Sequence, residues 1–288
     1  MTPEREAPVE MRDQTTVLDS TGAPRIVVLV AHGLNQRSDA MRELYEPLRL
    51  QGACVVLARF RGHRAGAPAD AATVEAWRTV EWGDWGDDWL AAARIAQQLA
   101  ETHRVPLTFL GFSLGGLVHV HHLATGTGVP VFTRQVLLAP AIRVHPRSRA
   151  VRAFRALGRR FLVPSLAPEA VRSHGGTSVA AYEALFRYES ALDVVPHPDR
   201  LRIPTLVVID PRDELASAPR LVDWIAAHGL ESSWHVHAIE KDMTTARSRL
   251  RHYVTDEAGL GPGPFAHLVD LLTRALFDGA MGPPSART

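Results

Sequence analysis

The most constraining feature of the sequence is a serine in a short glycine-containing stretch between a strand pattern and a helix pattern. Residues 106–110 (PLTFL) form an apolar run typical of a buried strand, and residues 114–123 repeat apolar side chains at helical spacing. Between them, residues 111–115 read GFSLG, which fits GxSxG. In such a tight turn the central residue is strained, and small flanking residues let neighbouring backbone pass closely. We therefore expect the Ser113 hydroxyl to stand clear at the end of a sheet, in front of a helix N-terminus.

The five-residue pattern does not by itself identify a nucleophile, because a glycine-rich turn can contain a serine that has no catalytic role. The strand pattern before it and the helix pattern after it favour the functional interpretation. If Ser113 is a nucleophile, the rest of the chain must supply the groups that activate it.

Strand and helix patterns alternate along the whole chain. Apolar runs typical of strands lie at residues 25–31, 53–58, 106–110, 135–139, 204–210 and 233–239. Helical patterns lie at residues 39–50, 84–102, 114–123, 218–227 and 264–277. This alternation predicts an α/β fold with a mostly parallel central sheet flanked by helices. In such sheets, reactive groups collect in the loops that follow the C-terminal ends of the strands.

A serine nucleophile needs a base, and the base needs an anion that fixes its tautomer. Asp213 lies three residues beyond the strand pattern at residues 204–210, in a loop before a helix, and is the favoured anion. Asp210 and Glu214 are the alternatives. Because Asp210 is at the strand end, we expect it to cap the turn instead.

The base must be one of fourteen histidines. Three lie on the helix behind the serine and point away from its front: His119, His121 and His122. Two candidates follow the last strand pattern. His252 is favoured because it lies in an irregular segment from which a side chain can reach back over the sheet. His267 lies on the polar side of the C-terminal helix, and it stays open because the connection is long.

Composition limits the class of protein. With 288 residues and 46% hydrophobic content the chain can bury a large core, and no apolar stretch is long enough to cross a bilayer. A net charge of +1 and the lack of a nucleic-acid-binding motif argue against a nucleic-acid partner.

Lys241 is the only lysine among 32 basic residues, which we interpret as a compositional bias. A single cysteine, Cys54, excludes an internal disulfide, and the charged N-terminus is unlike a signal peptide, so we expect cytoplasmic residence.

Taken together, these motifs resemble those of the α/β-hydrolases, especially bacterial carboxylesterases and monoacylglycerol-lipase-like enzymes of the serine aminopeptidase S33 type. The likeness runs from about residue 26 to 276 and includes HGL at residues 32–34, GH at residues 62–63 and GFSLGG at residues 111–116. It implies a serine hydrolase without metal or organic cofactor. The implied catalytic residues are Ser113, Asp213 and His252, and the implied oxyanion hole is formed by the backbone N–H groups of Leu34 and Leu114.

The chain departs from the family pattern at two points. Asp210 stands where many relatives have glycine, three positions before the acid. His252 lies in the run RHYVTDE at residues 251–257 instead of beside a small glycine-rich turn, so its assignment depends on spacing and topology.

The resemblance also implies a helical lid at residues 142–202, inserted into a hydrolase core formed by residues 1–141 and 203–288. Within the lid, residues 149–162 have the pattern of an amphipathic helix. Its apolar stripe comprises Ala150, Phe154, Leu157 and Phe161, and its polar side carries Arg149, Arg152, Arg155, Arg159 and Arg160. A cationic helix of this kind would receive anionic acyl substrates or contact an anionic membrane surface weakly. A solvated helix whose arginines pair with local carboxylates is the favoured alternative.

The activity implied is hydrolysis of a small-molecule acyl ester through an acyl-enzyme, by a monomer or homodimer. Hydrolysis of thioesters, small peptides or carbon–carbon bonds would need the same triad, and these activities remain alternatives. A binding protein of this fold without catalysis is a further alternative. His63, Trp82 and Trp85 are interpreted as packing residues of their region.

Overall fold

The computed structural model describes residues 10–12, 15–64, 70–126 and 128–281. Its strands are β1 (Glu10–Arg12), β2 (Thr15–Leu18), β3 (Ile26–Ala31), β4 (Ala53–Ala58), β5 (Leu107–Phe112), β6 (Arg134–Leu138), β7 (Leu162–Pro164), β8 (Gly176–Ser178), β9 (Thr205–Ile209) and β10 (Trp234–Ala238). Its helices are α1 (Arg42–Leu50), α2 (Ala71–Thr79), α3 (Trp82–His103), α4 (Leu114–Thr125), α5 (Val179–Ala191), α6 (Ala218–Ala227), α7 (Glu257–Leu260) and α8 (Pro262–Thr273).

Eight strands form one sheet in the order β1-β2-β4-β3-β5-β6-β9-β10. Pairing is parallel from β4 to β10, while β1 and β2 add antiparallel strands at one end. Every residue of β3, β4 and β5 is buried, because helices cover both faces of the sheet and leave no polar face. The predicted α/β fold with a mostly parallel sheet is therefore confirmed.

Large aromatic side chains of α2 and α3 belong to the hydrophobic core. Trp77, Trp85 and Trp89 are all fully buried there. Cys54 lies inside β4, where burial raises the pKa of its thiol to about 11 and keeps it protonated. The cysteine is thus a core residue.

The prediction of an α-helix at residues 149–162 is wrong. The segment Pro146–Leu157 forms a 3₁₀ helix with no buried residue, and β7 begins at Leu162. Phe154 and Leu157 are 38% and 59% exposed, so the apolar stripe has little to pack against. Without such packing a short α-helix in water gains too little to form.

Four arginines of this region pair with carboxylates on α2, on α5 and at Glu81, the residue before α3. The pairs are Arg149–Glu189 (2.7 Å), Arg155–Glu183 (2.7 Å), Arg159–Glu81 (2.7 Å), Arg159–Glu183 (2.8 Å) and Arg160–Glu75 (2.5 Å). This is the favoured pairing with local carboxylates, although only Arg149 and Arg155 lie on the 3₁₀ helix and Arg159 and Arg160 follow it. The guanidinium of Arg152 lies over the ring of Phe186. In the ranges that the structure describes, no helix is both long and apolar enough to cross a bilayer. Contact with a membrane surface stays a prediction.

Candidate active site

Ser113 occupies the single residue between β5 and α4. Its backbone has φ 49° and ψ −109°, a strained conformation for a residue with a side chain. The Ser113 N–H donates to the carbonyl oxygen of Leu138 (2.9 Å), and the Ser113 carbonyl accepts from the N–H of Ala141 (3.1 Å). These bonds to β6 and the chain after it hold the turn, so the side chain stands at the C-terminal edge of the parallel strands.

A continuous hydrogen-bonded chain joins Ser113, His252 and Asp213. His252 Nε2 lies 2.9 Å from Ser113 Oγ, and His252 Nδ1 lies 2.7 Å from Asp213 Oδ2. With the proton on Nδ1, the imidazole donates to the carboxylate and accepts from the hydroxyl. The other oxygen of Asp213 accepts from the N–H groups of Leu215 (2.7 Å) and Ala216 (2.9 Å). All three side chains are buried, which strengthens these interactions.

The alternative acid and base lie elsewhere. Asp210 Oδ1 accepts from the N–H of Arg212 (2.8 Å), which is the turn cap expected of it, and its Oδ2 accepts from the guanidinium of Arg251 (3.1 Å). His267 is exposed on α8, where its Nε2 lies 3.3 Å from that of His237. Of the candidates considered from sequence, the structure therefore brings Asp213 and His252 together with Ser113.

Both candidate oxyanion donors lie beside Ser113. Leu114 is the first residue of α4, where N–H groups have no partner within the helix. Leu34 lines the same cavity as Ser113, and none of the described residues accepts a hydrogen bond from its N–H. The N–H groups on either side are occupied: Gly33 donates to Gln36 Oε1 (2.9 Å) and Asn35 donates to His63 Nε2 (3.1 Å).

The side chains that hold the loop after β3 in place were not predicted from the sequence. His63 donates from Nδ1 to the carbonyl of Phe60 (3.2 Å) and accepts from Asn35 at Nε2. Burial lowers the pKa of His63 well below its ordinary value, so the ring is neutral and can accept. The Asn35 side chain donates to the His174 carbonyl (3.0 Å) and accepts from the His174 N–H (2.8 Å). The pair GH at residues 62–63 was the available sequence signal.

A cavity of about 280 Å³ opens in front of Ser113. Its lining is mainly aliphatic and aromatic, and several of these side chains come from the segment between β6 and β9: Val144, Val151, Val163, Leu185 and Phe186. Among the described residues, no aspartate, glutamate, lysine or arginine lines the cavity. Within the same described ranges, no group of three or more histidine, cysteine or acidic residues is arranged to bind a metal ion. The site is thus suited to an uncharged, apolar group next to a serine hydroxyl.

Comparison with known proteins gives a family match. The family model described as "Serine aminopeptidase, S33" matches residues 22–184. Among curated proteins, none matches the sequence significantly.

Solved structures resemble the chain over nearly its whole length. A soluble variant of monoglyceride lipase from Saccharomyces cerevisiae superposes with a TM-score of 0.71 at 14% identity, covering 96% of both chains. A carboxyl esterase from Bacillus coagulans gives 0.63 at 12% identity, with 94% of this chain and 98% of that chain covered. Monoacylglycerol lipase from Paleococcus ferrophilus gives 0.60 at 16% identity, with 95% and 100% covered. At these identities the likeness is one of fold.

Proposed function

The chain belongs to the serine aminopeptidase S33 family of α/β-hydrolases, and we propose that it hydrolyses carboxylic esters with an apolar acyl group through an acyl-enzyme. The observation that carries the proposal is the hydrogen-bonded chain from Asp213 through His252 to Ser113. Such a chain supplies the anion, the base and the nucleophile that acyl transfer needs.

In the proposed reaction, Ser113 Oγ attacks the ester carbonyl carbon while His252 Nε2 takes the hydroxyl proton. Asp213 stabilises the imidazolium that forms. The tetrahedral oxyanion accepts hydrogen bonds from the N–H groups of Leu34 and Leu114, each of which typically lowers the barrier by about 3 to 4 kcal/mol. His252 then protonates the leaving alkoxide, and the alcohol departs. A water molecule, deprotonated by His252, attacks the acyl-enzyme and releases the acid.

The lining of the cavity favours an ester over a peptide with a free N-terminus. An aminopeptidase must hold a substrate ammonium group, and taking that charge out of water without an anionic partner is costly. Among the described residues, no carboxylate lines the cavity in front of Ser113. Monoglyceride lipase and carboxyl esterase are among the structural neighbours, so ester hydrolysis already occurs on this fold.

We further propose that residues 142–202 act as a lid over the site, and that residues 1–141 and 203–288 form the hydrolase core. Support comes from Val151, Val163 and Phe186, which lie in this segment and line the cavity. The two hydrogen bonds between Asn35 and His174 tie the segment to the loop that carries Leu34. The lid would exclude water from the acyl group and set its length.

The first test is hydrolysis of p-nitrophenyl esters from acetyl to palmitoyl. Because the cavity is near the lower limit of small-molecule sites, we expect short and medium chains to be preferred. The Ser113→Ala and His252→Ala variants should lose about 10⁴-fold or more in kcat. The His267→Ala variant is the matched control, since it removes an exposed histidine on α8 and should keep the wild-type rate.

A second measurement separates an enzyme from a ligand-binding protein. A fluorophosphonate should label Ser113 covalently, and mass spectrometry should locate the adduct on the peptide that contains residues 111–115. Wild-type protein that neither turns over any ester nor reacts with the probe would refute the proposal. Turnover of thioesters at a much higher kcat/KM than matched oxygen esters would replace the ester with a thioester as substrate.

A further inference from the structure

Lys241, the only lysine of the chain, is almost completely buried, with 4% of its surface exposed. It lies three residues after β10, where its backbone N–H donates to Asp210 Oδ2 (3.2 Å). Its ammonium group donates to the backbone carbonyl oxygens of Leu250 and Tyr253 (3.4 Å for Tyr253). A buried ammonium loses its hydration, so these partners are needed to hold it there.

The charge of Lys241 is sensitive to mildly alkaline conditions. Burial lowers the pKa of its ammonium to about 8; the carboxylates of Glu214, Asp256 and Asp210 act against this shift, and Arg251 adds to it. The group is therefore a cation at neutral pH and loses its proton as the pH rises through about 8.

The two carbonyl groups that Lys241 binds stand on either side of His252. Residues 250–253 belong to no helix or strand, so the regular hydrogen bonds of secondary structure do not fix this backbone. The position of the imidazole must then depend on tertiary contacts. Lys241 supplies two of these, one before and one after His252 in the chain.

A second support comes from the loop that carries Asp213. Glu214 Oε2 accepts from the N–H groups of Arg251 (2.8 Å) and His252 (3.3 Å). The guanidinium of Arg251 donates to Asp210 Oδ2 (3.1 Å). The backbone around the candidate base is thus held by charged side chains on both sides of the acid.

We propose that Lys241 is a positioning residue: its ammonium holds the carbonyl groups that flank His252 and so keeps the imidazole between Asp213 and Ser113. The inference depends on the proposed function, in which His252 is the base. Lys241 contacts neither the serine nor the imidazole nitrogens, so it acts through the backbone of residues 250–253. A displacement of about 1 Å at a catalytic group can cost about 10²-fold in rate.

The test compares Lys241→Met, which removes the donor, and Lys241→Gln, which keeps a neutral donor, with wild type. Arg134→Met is the matched control: Arg134 Nη1 also donates to two backbone carbonyls, those of Leu276 and Phe277 (2.9 Å each), but at the N-terminal end of β6, away from Ser113. For Lys241→Met we expect kcat to fall by about 10- to 100-fold and KM to change by less than about threefold. Lys241→Gln should lie between it and wild type, and Arg134→Met should keep the wild-type kcat.

A pH profile adds a readout that a purely structural role would not change. Wild-type kcat should decline by a few-fold as the pH rises through about 8, because the ammonium loses its charge, and this decline should be missing in Lys241→Gln. Because the chain has one lysine, protein labelled with ¹³C-lysine gives one lysine side-chain NMR signal. The titration midpoint of that signal shows directly whether the decline in kcat follows the charge of Lys241. A wild-type kcat that does not change while the lysine signal titrates would overturn the inference even if no variant folds.

The outcomes separate this inference from the function it depends on. An active wild type with an equally active Lys241→Met, or an equal loss of kcat in Arg134→Met, would overturn only the role of Lys241. A wild type without esterase activity or fluorophosphonate labelling would overturn the proposed function and this inference with it.

Discussion

The imidazole of His63 accepts a hydrogen bond from the backbone N–H of Asn35 at 3.1 Å. This bond joins the loop after β4 to the loop after β3, which carries Leu34. Because His63 is buried and neutral, its Nε2 is an acceptor across the ordinary pH range. The bond therefore fixes the backbone next to a candidate oxyanion donor.

We expect His63→Ala to reduce kcat for ester hydrolysis by about 10- to 100-fold, with a smaller effect on KM, because a loosened loop weakens binding of the oxyanion more than binding of the substrate. His63→Gln keeps an acceptor and should recover part of the rate. Steady-state kinetics measure both effects. The control is His103→Gln, on the exposed end of α3. Equal kcat in His63→Ala and wild type would show that the loop does not depend on this bond.

The turn at Ser113 depends on a close contact between α4 and β3. A Cβ added at Gly115 would lie 2.2 Å from the carbonyl oxygen of Ala31, which is backbone and cannot move aside cheaply. Gly115→Ala should therefore destabilise the protein by about 2 kcal/mol or more and lower Ser113 labelling. Gly83→Ala in α3, where an added Cβ meets no atom within 4 Å, should instead stabilise by about 0.5 to 1 kcal/mol. Urea unfolding of both variants tests the contrast.

Stability should fall in mild acid because buried histidines stay neutral in the folded protein. Burial lowers the pKa of His119 to about 3, whereas in the unfolded chain it is about 6.5. The unfolded state therefore binds the extra proton, and stability that is present above pH 6.5 is lost as the pH falls toward 3. By pH 5 the loss attributable to His119 is about 2 kcal/mol. Urea unfolding at pH 7.5 and 5 should show a smaller difference for His119→Gln than for wild type, and an unchanged difference for His103→Gln.

The segment between β6 and β9 should set the acyl chain that the cavity accepts. Val163 in β7 lines the cavity and is buried, so Val163→Trp should shorten the preferred p-nitrophenyl ester. We expect kcat/KM to fall by about tenfold or more for the longest ester that wild type accepts and to change little for acetate, since a few methylene contacts are worth about 1 to 3 kcal/mol. Val131→Trp, at a side chain that is 85% exposed, is the control. A uniform loss for all esters would contradict a role in selecting chain length.

The fold could be predicted because its signals are local. The apolar runs that became β3, β4 and β5 need only to be read along the chain, and the strand–serine–helix pattern at Ser113 is complete within 18 residues. The prediction for residues 149–162 failed because helical spacing alone does not form an α-helix. The surrounding structure offers that segment carboxylates, and it leaves the side chains of Phe154 and Leu157 exposed.

The surroundings of the site could not be predicted because they depend on contacts between residues distant in sequence. His63 bonds to a loop 28 residues earlier, and Asn35 bonds to His174, 139 residues later. Lys241 was interpreted as a compositional bias because nothing near it in sequence indicates its partners; the structure shows its ammonium bound beside His252. The roles of Ser113, Asp213 and His252 in catalysis stay predictions until the variants are measured.

The cavity walls contributed between β6 and β9 belong to a different stretch of chain from the strand ends that carry Ser113, Asp213 and His252. Substitutions in those walls can therefore accumulate without disturbing the residues proposed to break the ester bond. A mutant library confined to Val144, Val151, Val163, Leu185 and Phe186 would be a small search space for changing which acids are released. During evolution, the same separation would let related chains diverge in the acyl groups that they accept while they keep one reaction.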